Sequence, residues 1–201
     1  CHSASRLPTL PTGQESPEEG VPAGNGLMCV PCHDGANFPA RYAVNEVAMP
    51  SGMVVSYGEG ADSNLCIECH QGRASKKSVD DKIALFPGAA DAPDTIVEAI
   101  KDANVKDVRF SFINAHYFGI GAMWFGTDAQ GFYEYEGKSY VGVNTHVEVD
   151  GKAGCVGCHD AHNGSWDTEK CAACHPGIES VDDIRGASDT TDWNGNGDVA
   201  E

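Results

Sequence analysis

The chain has 201 residues and a formal net charge of −17, from 13 Lys and Arg against 30 Asp and Glu. That length allows one domain or two small ones, and that acidity excludes nucleic acid and anionic membrane surfaces as partners. With 24 Gly and 10 Pro, the chain buries little surface on its own, so a covalently held group is expected to supply much of its core.

The first 26 residues carry Pro8, Pro11, Pro17 and Pro22 among Gly, Ser, Thr and Glu. They read as an extended, polyproline-like arm, followed by a single domain over 27–201. The arm begins Cys1-His2. Cys1 is odd among nine cysteines. It suits the lipidated first residue of an exported lipoprotein, the remnant of a truncated motif, or a free thiol. A lipid on Cys1 is then the most membrane contact expected, since no apolar run reaches transmembrane length.

The other eight cysteines fall into one repeated pattern, CxxCH. It stands at Cys29-Val30-Pro31-Cys32-His33, Cys66-Ile67-Glu68-Cys69-His70, Cys155-Val156-Gly157-Cys158-His159 and Cys171-Ala172-Ala173-Cys174-His175. Two cysteines three apart project from one turn, and each can form a thioether to a haem vinyl group. The next residue is carried under the porphyrin as proximal iron ligand. Four c-type haems are therefore expected. Paired CxxC motifs also bind zinc, but a zinc ribbon does not require His after each second cysteine, and disulfides leave all four histidines unexplained. Such haem is attached outside the cytoplasm, so an export signal is expected to have been removed. The chain is expected to be extracellular or at the cell surface, or periplasmic if monomeric.

Between the motifs the pattern is coarse. Val44, Val47, Met53 and Val55 around Pro50-Ser51-Gly52 predict a hairpin over 41–57. Met49 and Met53 read as packing residues rather than haem ligands. The second motif is expected to continue into Gln71-Gly72-Arg73 as one short helix. Asp94 to Ala103, with Ile96, Val97 and Ile100 behind an Asp94 cap, predicts a helix. Phe110 to Phe125 is rich in aromatics. Gly131 to Val149 predicts strands around a Glu136-Gly137-Lys138 turn. No repeat is apparent beyond CxxCH.

The histidines balance. Of eight, four are proximal, which leaves His2, His116, His146 and His162 as distal candidates for four irons. Bis-histidine ligation closes the metal to substrate and leaves electron transfer, at low potential for want of an axial Met. An enzyme is not expected. A multihaem reductase needs one five-coordinate iron, against which the balanced count speaks. His162 lies too close to His159 to bind the same iron and should reach a neighbouring haem, the fourth by sequence proximity. His116 and His146 can each serve the first or second haem. At the far end, Asp192, Asn194, Asn196 and Asp198 alternate with Gly195 and Gly197 like the start of a calcium loop, and suggest Ca2+, although a twelve-residue loop runs past Glu201.

Three runs, Leu65 to Arg73, Phe112-Ile113-Asn114-Ala115-His116-Tyr117-Phe118 and Cys155 to His162, resemble exported multihaem c-type cytochromes of metal-reducing bacteria. Among these the chain is most similar to the tetrahaem subunits of extracellular, nanowire-forming cytochrome filaments, over roughly residues 26–200. The resemblance implies a fold that is mostly coil, with short helices and a few β-hairpins wrapped around a stacked haem chain. It also implies bis-histidine haems in alternating parallel and T-shaped pairs, and one distal His donated by the neighbouring subunit. Itself, in a head-to-tail homopolymer, and extracellular electron acceptors are then the partners. His2, on its long arm, is the expected donor. A monomeric periplasmic tetrahaem shuttle is the alternative.

Overall fold

The computed structural model describes residues 28–86, 111–144 and 154–184. They belong to two compact units, Cys1–His146 and Val147–Glu201. The first holds the first two CxxCH motifs and the second holds the last two. The arm, the segment Asp94 to Ala103, His146 and the Asp192–Asp198 loop lie outside the described residues.

In the first unit, β1 (Val47–Ala48) pairs antiparallel with β2 (Val54–Val55), Val47 opposite Val55 and Ala48 opposite Val54. The hairpin closes where Gly52 N–H donates to the Met49 carbonyl at 2.8 Å, with Gly52 at φ 88, a conformation open to glycine. Ser51 Oγ donates to the Ala129 carbonyl at 2.5 Å and ties the turn to a segment 78 residues away. The hairpin predicted over 41–57 is present, shorter than that range. Met49 is fully buried, as its packing role requires, whereas Met53 is exposed.

Helix α1 (Ser63–His70) carries the second motif. Leu65 and Ile67 are buried in the core with Val44, Val47, Met49, Val55, Ala122, Phe125 and Ala129. Cys66, Cys69 and His70, spaced i, i+3, i+4, share another face. The helix ends at His70 rather than running on through Arg73, because Gly72 turns the chain at φ 89. There Arg73 N–H donates to the Ala115 carbonyl at 3.0 Å. Helix α2 (Lys76–Ile83) follows, opened by a capping box of Ser75 and Ser78. It buries none of its residues and is laced by Lys76–Asp80 and Lys77–Asp81 pairs four apart. Without an apolar stripe it gave no periodic signal.

Helix α3 (Ile120–Phe125) packs on α1 at Gly121, where a Cβ would meet the His70 carbonyl and Ile67 Cγ2 at 3.0 Å. A 3-10 turn, Gly126–Asp128, continues it. The strands predicted from Gly131 are not formed over the described part, 131–144. Only the turn is present, with Lys138 N–H donating to the Tyr135 carbonyl at 3.2 Å. Beyond that turn its main chain bonds to α3 and the 3-10 turn after it: Thr127 N–H donates to the Val141 carbonyl at 3.2 Å and Asn144 N–H to the Trp124 carbonyl at 2.6 Å.

In the second unit, α4 (Cys155–Cys158) packs on α5 (Thr168–Ala172), and a 3-10 turn, Val181–Asp183, follows. The described residues are thus mostly coil, with short helices and one small hairpin, in keeping with the expected fold class.

Candidate haem attachment sites

Each CxxCH motif forms one tight helical turn. His33 N–H donates to the Cys29 carbonyl at 2.8 Å, His159 to Cys155 at 2.9 Å and His175 to Cys171 at 2.9 Å. The second motif lies in the last turns of α1. None of the eight described cysteines is in a disulfide, and among the described residues no group of three or more His, Cys, Asp or Glu is gathered as a metal cage. The cysteine pairs are not arranged as a tetrahedral zinc site.

Three of the four CxxCH histidines are oriented alike. His33 Nδ1 lies 2.9 Å from the Pro39 carbonyl, His70 Nδ1 3.0 Å from the Phe118 carbonyl and His159 Nδ1 3.0 Å from the Gly164 carbonyl. A carbonyl oxygen only accepts, so Nδ1 carries the proton and the lone pair sits on Nε2. That is the tautomer an iron ligand needs, fixed by an outer partner as metal-binding imidazoles generally are.

An aromatic ring accompanies each of the three. Phe38 lies 5.3 Å from His33, Phe118 6.5 Å from His70 and Trp166 4.3 Å from His159. All three rings are largely exposed, and beside His116, Phe112 and Tyr117 are 88% and 78% exposed. Apolar rings left open around oriented imidazoles suit a flat apolar ligand, so these residues fit haem.

The motifs come in pairs. Arg41, bridged to His33, makes a 2.6 Å ion pair with Asp62 at the start of α1, and Asn64 Nδ2 donates to the Val44 carbonyl at 2.8 Å. The first motif is thus tied to the helix that bears the second. Burial pushes the Cys32 thiol up, and Cys69 adds to it. In the second unit Lys170, in the turn before Cys171, pairs with Asp167 at 3.1 Å and reaches the Val156 carbonyl inside the third motif at 3.4 Å. Burial likewise raises the Cys158 thiol, with Cys171 next in effect. Glu68, between the cysteines of the second motif, is pushed up to about 7, chiefly by burial and then by Cys69.

Of the distal candidates, His116 and His162 are described. His116 sits at φ 72 in the loop that docks on the end of α1, and His162 lies in the loop after the third motif. His2 and His146, like the calcium candidates Asp192, Asn194, Asn196 and Asp198, fall outside the described residues. Sequence reading missed Asp34 and Asp160, each directly after a proximal His. Asp34 Oδ1 accepts from Ala36 N–H at 3.0 Å and Asp160 Oδ1 from His162 N–H at 2.7 Å, which shapes the loops that return to hold His33 and His159. The available signal was CHD occurring twice.

No protein-family model matches the sequence, and no solved structure matches it. Two curated proteins of Geobacter sulfurreducens do. The C-type polyheme cytochrome OmcB is 24% identical over 208 residues, covering 81% of this chain and 25% of OmcB. The C-type polyheme cytochrome OmcC is 32% identical over 153 residues, covering 76% of this chain and 16% of OmcC. The chain is similar to polyhaem c-type cytochromes. It spans a quarter or less of the length of these relatives. The likeness to polyhaem cytochromes agrees with the CxxCH turns and the oriented imidazoles.

Proposed function

We propose that the chain is an electron-transfer cytochrome with four c-type haems, each iron held between two histidines, and that copies join head to tail into an extracellular or cell-surface filament. The carrying observation is the repeated site: four one-turn CxxCH motifs, three with Nδ1 bound to a main-chain carbonyl. Likeness to polyhaem cytochromes supports several haems per chain.

Haem, when bound, supplies a one-electron iron couple. The rest falls to the chain. The paired cysteines would hold each haem edge through thioethers, their S–H adding across the vinyl double bonds, and His33, His70, His159 and His175 would supply the proximal nitrogen to each iron. His2, His116, His146 and His162 are the residues to fill the sixth positions, leaving no site for substrate and hence no catalytic residue. The acidic surface favours cationic or metallic acceptors and disfavours nucleic acid. Among the described residues no helix is long and apolar enough to cross a membrane. Ca2+ at Asp192 to Asp198 belongs to the proposal as an accessory ion.

The test joins composition to shape. A pyridine haemochrome assay with intact mass should give four haems per chain, and negative-stain imaging should show filaments. Zinc in place of haem overturns the cofactor. Four haems on a monodisperse monomer keep the cofactor and replace the filament with a soluble shuttle.

A further inference from the structure

Two loops in different compact units share one five-residue construction. In Asn114-Ala115-His116-Tyr117-Phe118, Asn114 Oδ1 accepts from His116 N–H at 2.8 Å, Phe118 takes φ 55, and its carbonyl holds His70 Nδ1 at 3.0 Å. In Asp160-Ala161-His162-Asn163-Gly164, Asp160 Oδ1 accepts from His162 N–H at 2.7 Å, Gly164 takes φ 70, and its carbonyl holds His159 Nδ1 at 3.0 Å. The sequence holds a repeat beyond CxxCH after all: Asx-Ala-His-x-x, ending in a left-handed residue. The expectation of no further repeat is corrected on this point.

A third loop acts as an internal control. After the first motif, Asp34 Oδ1 caps Ala36 N–H at 3.0 Å and the Pro39 carbonyl holds His33 Nδ1 at 2.9 Å. Cap and clamp are both made, yet Ala36 stands where the other loops have His. That loop is one residue longer from cap to clamp, and it makes both without a histidine at the capped position. His116 also adopts φ 72, which a non-glycine residue does at a cost, and such strain collects where function requires it.

The clamp decides which iron each histidine cannot bind. Nδ1 and Nε2 lie on opposite sides of the imidazole, so a carbonyl on Nδ1 places its loop on the proximal side, away from the iron. His116 lies two residues from that carbonyl, on the Nδ1 side of His70, so a haem held on Nε2 of His70 would stand between His116 and that haem's distal face. The same holds for His162 behind His159. Within each unit one other motif remains, joined by Arg41–Asp62 in the first and by Lys170–Val156 in the second.

We propose that each loop is a bridge between two haems, clamping the proximal histidine of one and supplying the distal iron ligand of the other. His116 serves the haem on Cys29 and Cys32, and His162 the haem on Cys171 and Cys174. This rests on the haem reading of the CxxCH motifs. Asn114 and Asp160 are then positioning residues, acting through the histidines they cap.

The experiment uses the haem-loaded chain, with haems counted by pyridine haemochrome and high-spin iron by EPR. His116→Ala should convert one haem equivalent from low to high spin, and added imidazole should return it. In a Cys29→Ala/Cys32→Ala background, which lacks the first haem, His116→Ala should add no high-spin iron. In a Cys66→Ala/Cys69→Ala background it should still add one. The reverse pattern, or no high-spin iron in either background, overturns the bridge. A chain that binds no haem at all overturns instead the reading beneath it, and the haem count tells the two apart. Should the alanine variant not mature, His116→Met keeps a ligand in place and should raise one potential, that of the haem missing from the Cys29→Ala/Cys32→Ala chain. A rise that persists in that chain overturns the assignment.

Discussion

His70 and Phe118 are 48 residues apart in sequence, and the imidazole Nδ1 of one donates to the carbonyl of the other at 3.0 Å. This bond fixes the imidazole's tautomer and fastens the aromatic loop to the end of α1 in one step. Around it, Gly72 and Gly121 let the two segments approach: a Cβ at Gly72 would sit 3.1 Å from the Ala115 carbonyl, and one at Gly121 3.0 Å from that of His70.

Attachment should be lost one site at a time. Cys66→Ser/Cys69→Ser is expected to lower the intact mass by one haem and leave the other three. Retention of the full mass would show that these thiols carry nothing.

Asn64 is wholly buried, and its amide is fully engaged. The two N–H groups of Nδ2 donate to the carbonyls of Val44 at 2.8 Å and Gly58 at 2.9 Å, with that of Asn45 sharing one of them at 3.1 Å, and Oδ1 accepts from Tyr57 N–H at 2.9 Å. Leucine of similar volume leaves those main-chain groups unpaired at about 1–3 kcal/mol each. Asn64→Leu should therefore destabilise the first unit by about 3 kcal/mol or more in a denaturant titration. A loss under about 1 kcal/mol would mean that water replaces the amide.

Gly126 has φ 50, and a Cβ there would run into the carbonyl oxygens of Val141 and Gly142. Main-chain oxygens cannot rotate aside, so Gly126→Ala should cost about 2 kcal/mol or more. The haem count should stay unchanged, because no CxxCH motif touches the clash. An unchanged melting curve would refute the close approach.

Asn114→Ala removes the cap on His116 and leaves the histidine itself. It is expected to raise the high-spin fraction of one haem only partly, and Asn114→Asp, which keeps the acceptor, to restore it. Equal spectra for the two variants would show that the cap does not position the ligand.

His2→Ala should shorten or abolish filaments while the subunit keeps four haems and gains one high-spin iron. An arm of this length in polyproline geometry reaches up to roughly 75 Å, enough to enter a neighbouring copy. A heterologous contact of that kind propagates into an open assembly unless it closes as a ring. Normal filaments with unchanged spectra would remove the arm as donor.

The CxxCH turns were legible because the motif states its geometry locally: residues 66, 69 and 70 share a face wherever a helix forms. The hairpin was legible from Pro50-Ser51-Gly52 between valines. The end of α1 at His70 was only half legible: Gly72 is in the sequence, but the tertiary hydrogen bond from Arg73 to Ala115, 42 positions on, that accompanies its turn is not. Nor was the absence of strands over 131–144. Phe132, Tyr133, Tyr135 and Tyr140 have strand-forming side chains, but the segment's backbone pairs with Trp124 and Thr127 instead. The holders of the proximal histidines were invisible in principle. Pro39, Phe118 and Gly164 share no side-chain property, and each holds its histidine through a main-chain carbonyl.

That last fact bears on how such a sequence can change over time. A carboxylate or amide partner at Nδ1 is lost by a single substitution, whereas a peptide carbonyl is present whatever residue follows the backbone path. Substitution at Pro39, Phe118 or Gly164 leaves the acceptor in place so long as the chain's course is kept, and the setting of each imidazole is then inherited from topology rather than from the side chain at that position. The carbonyl also brings no titratable proton of its own, so that the contact behind each of these three imidazoles stays the same in acid and in base.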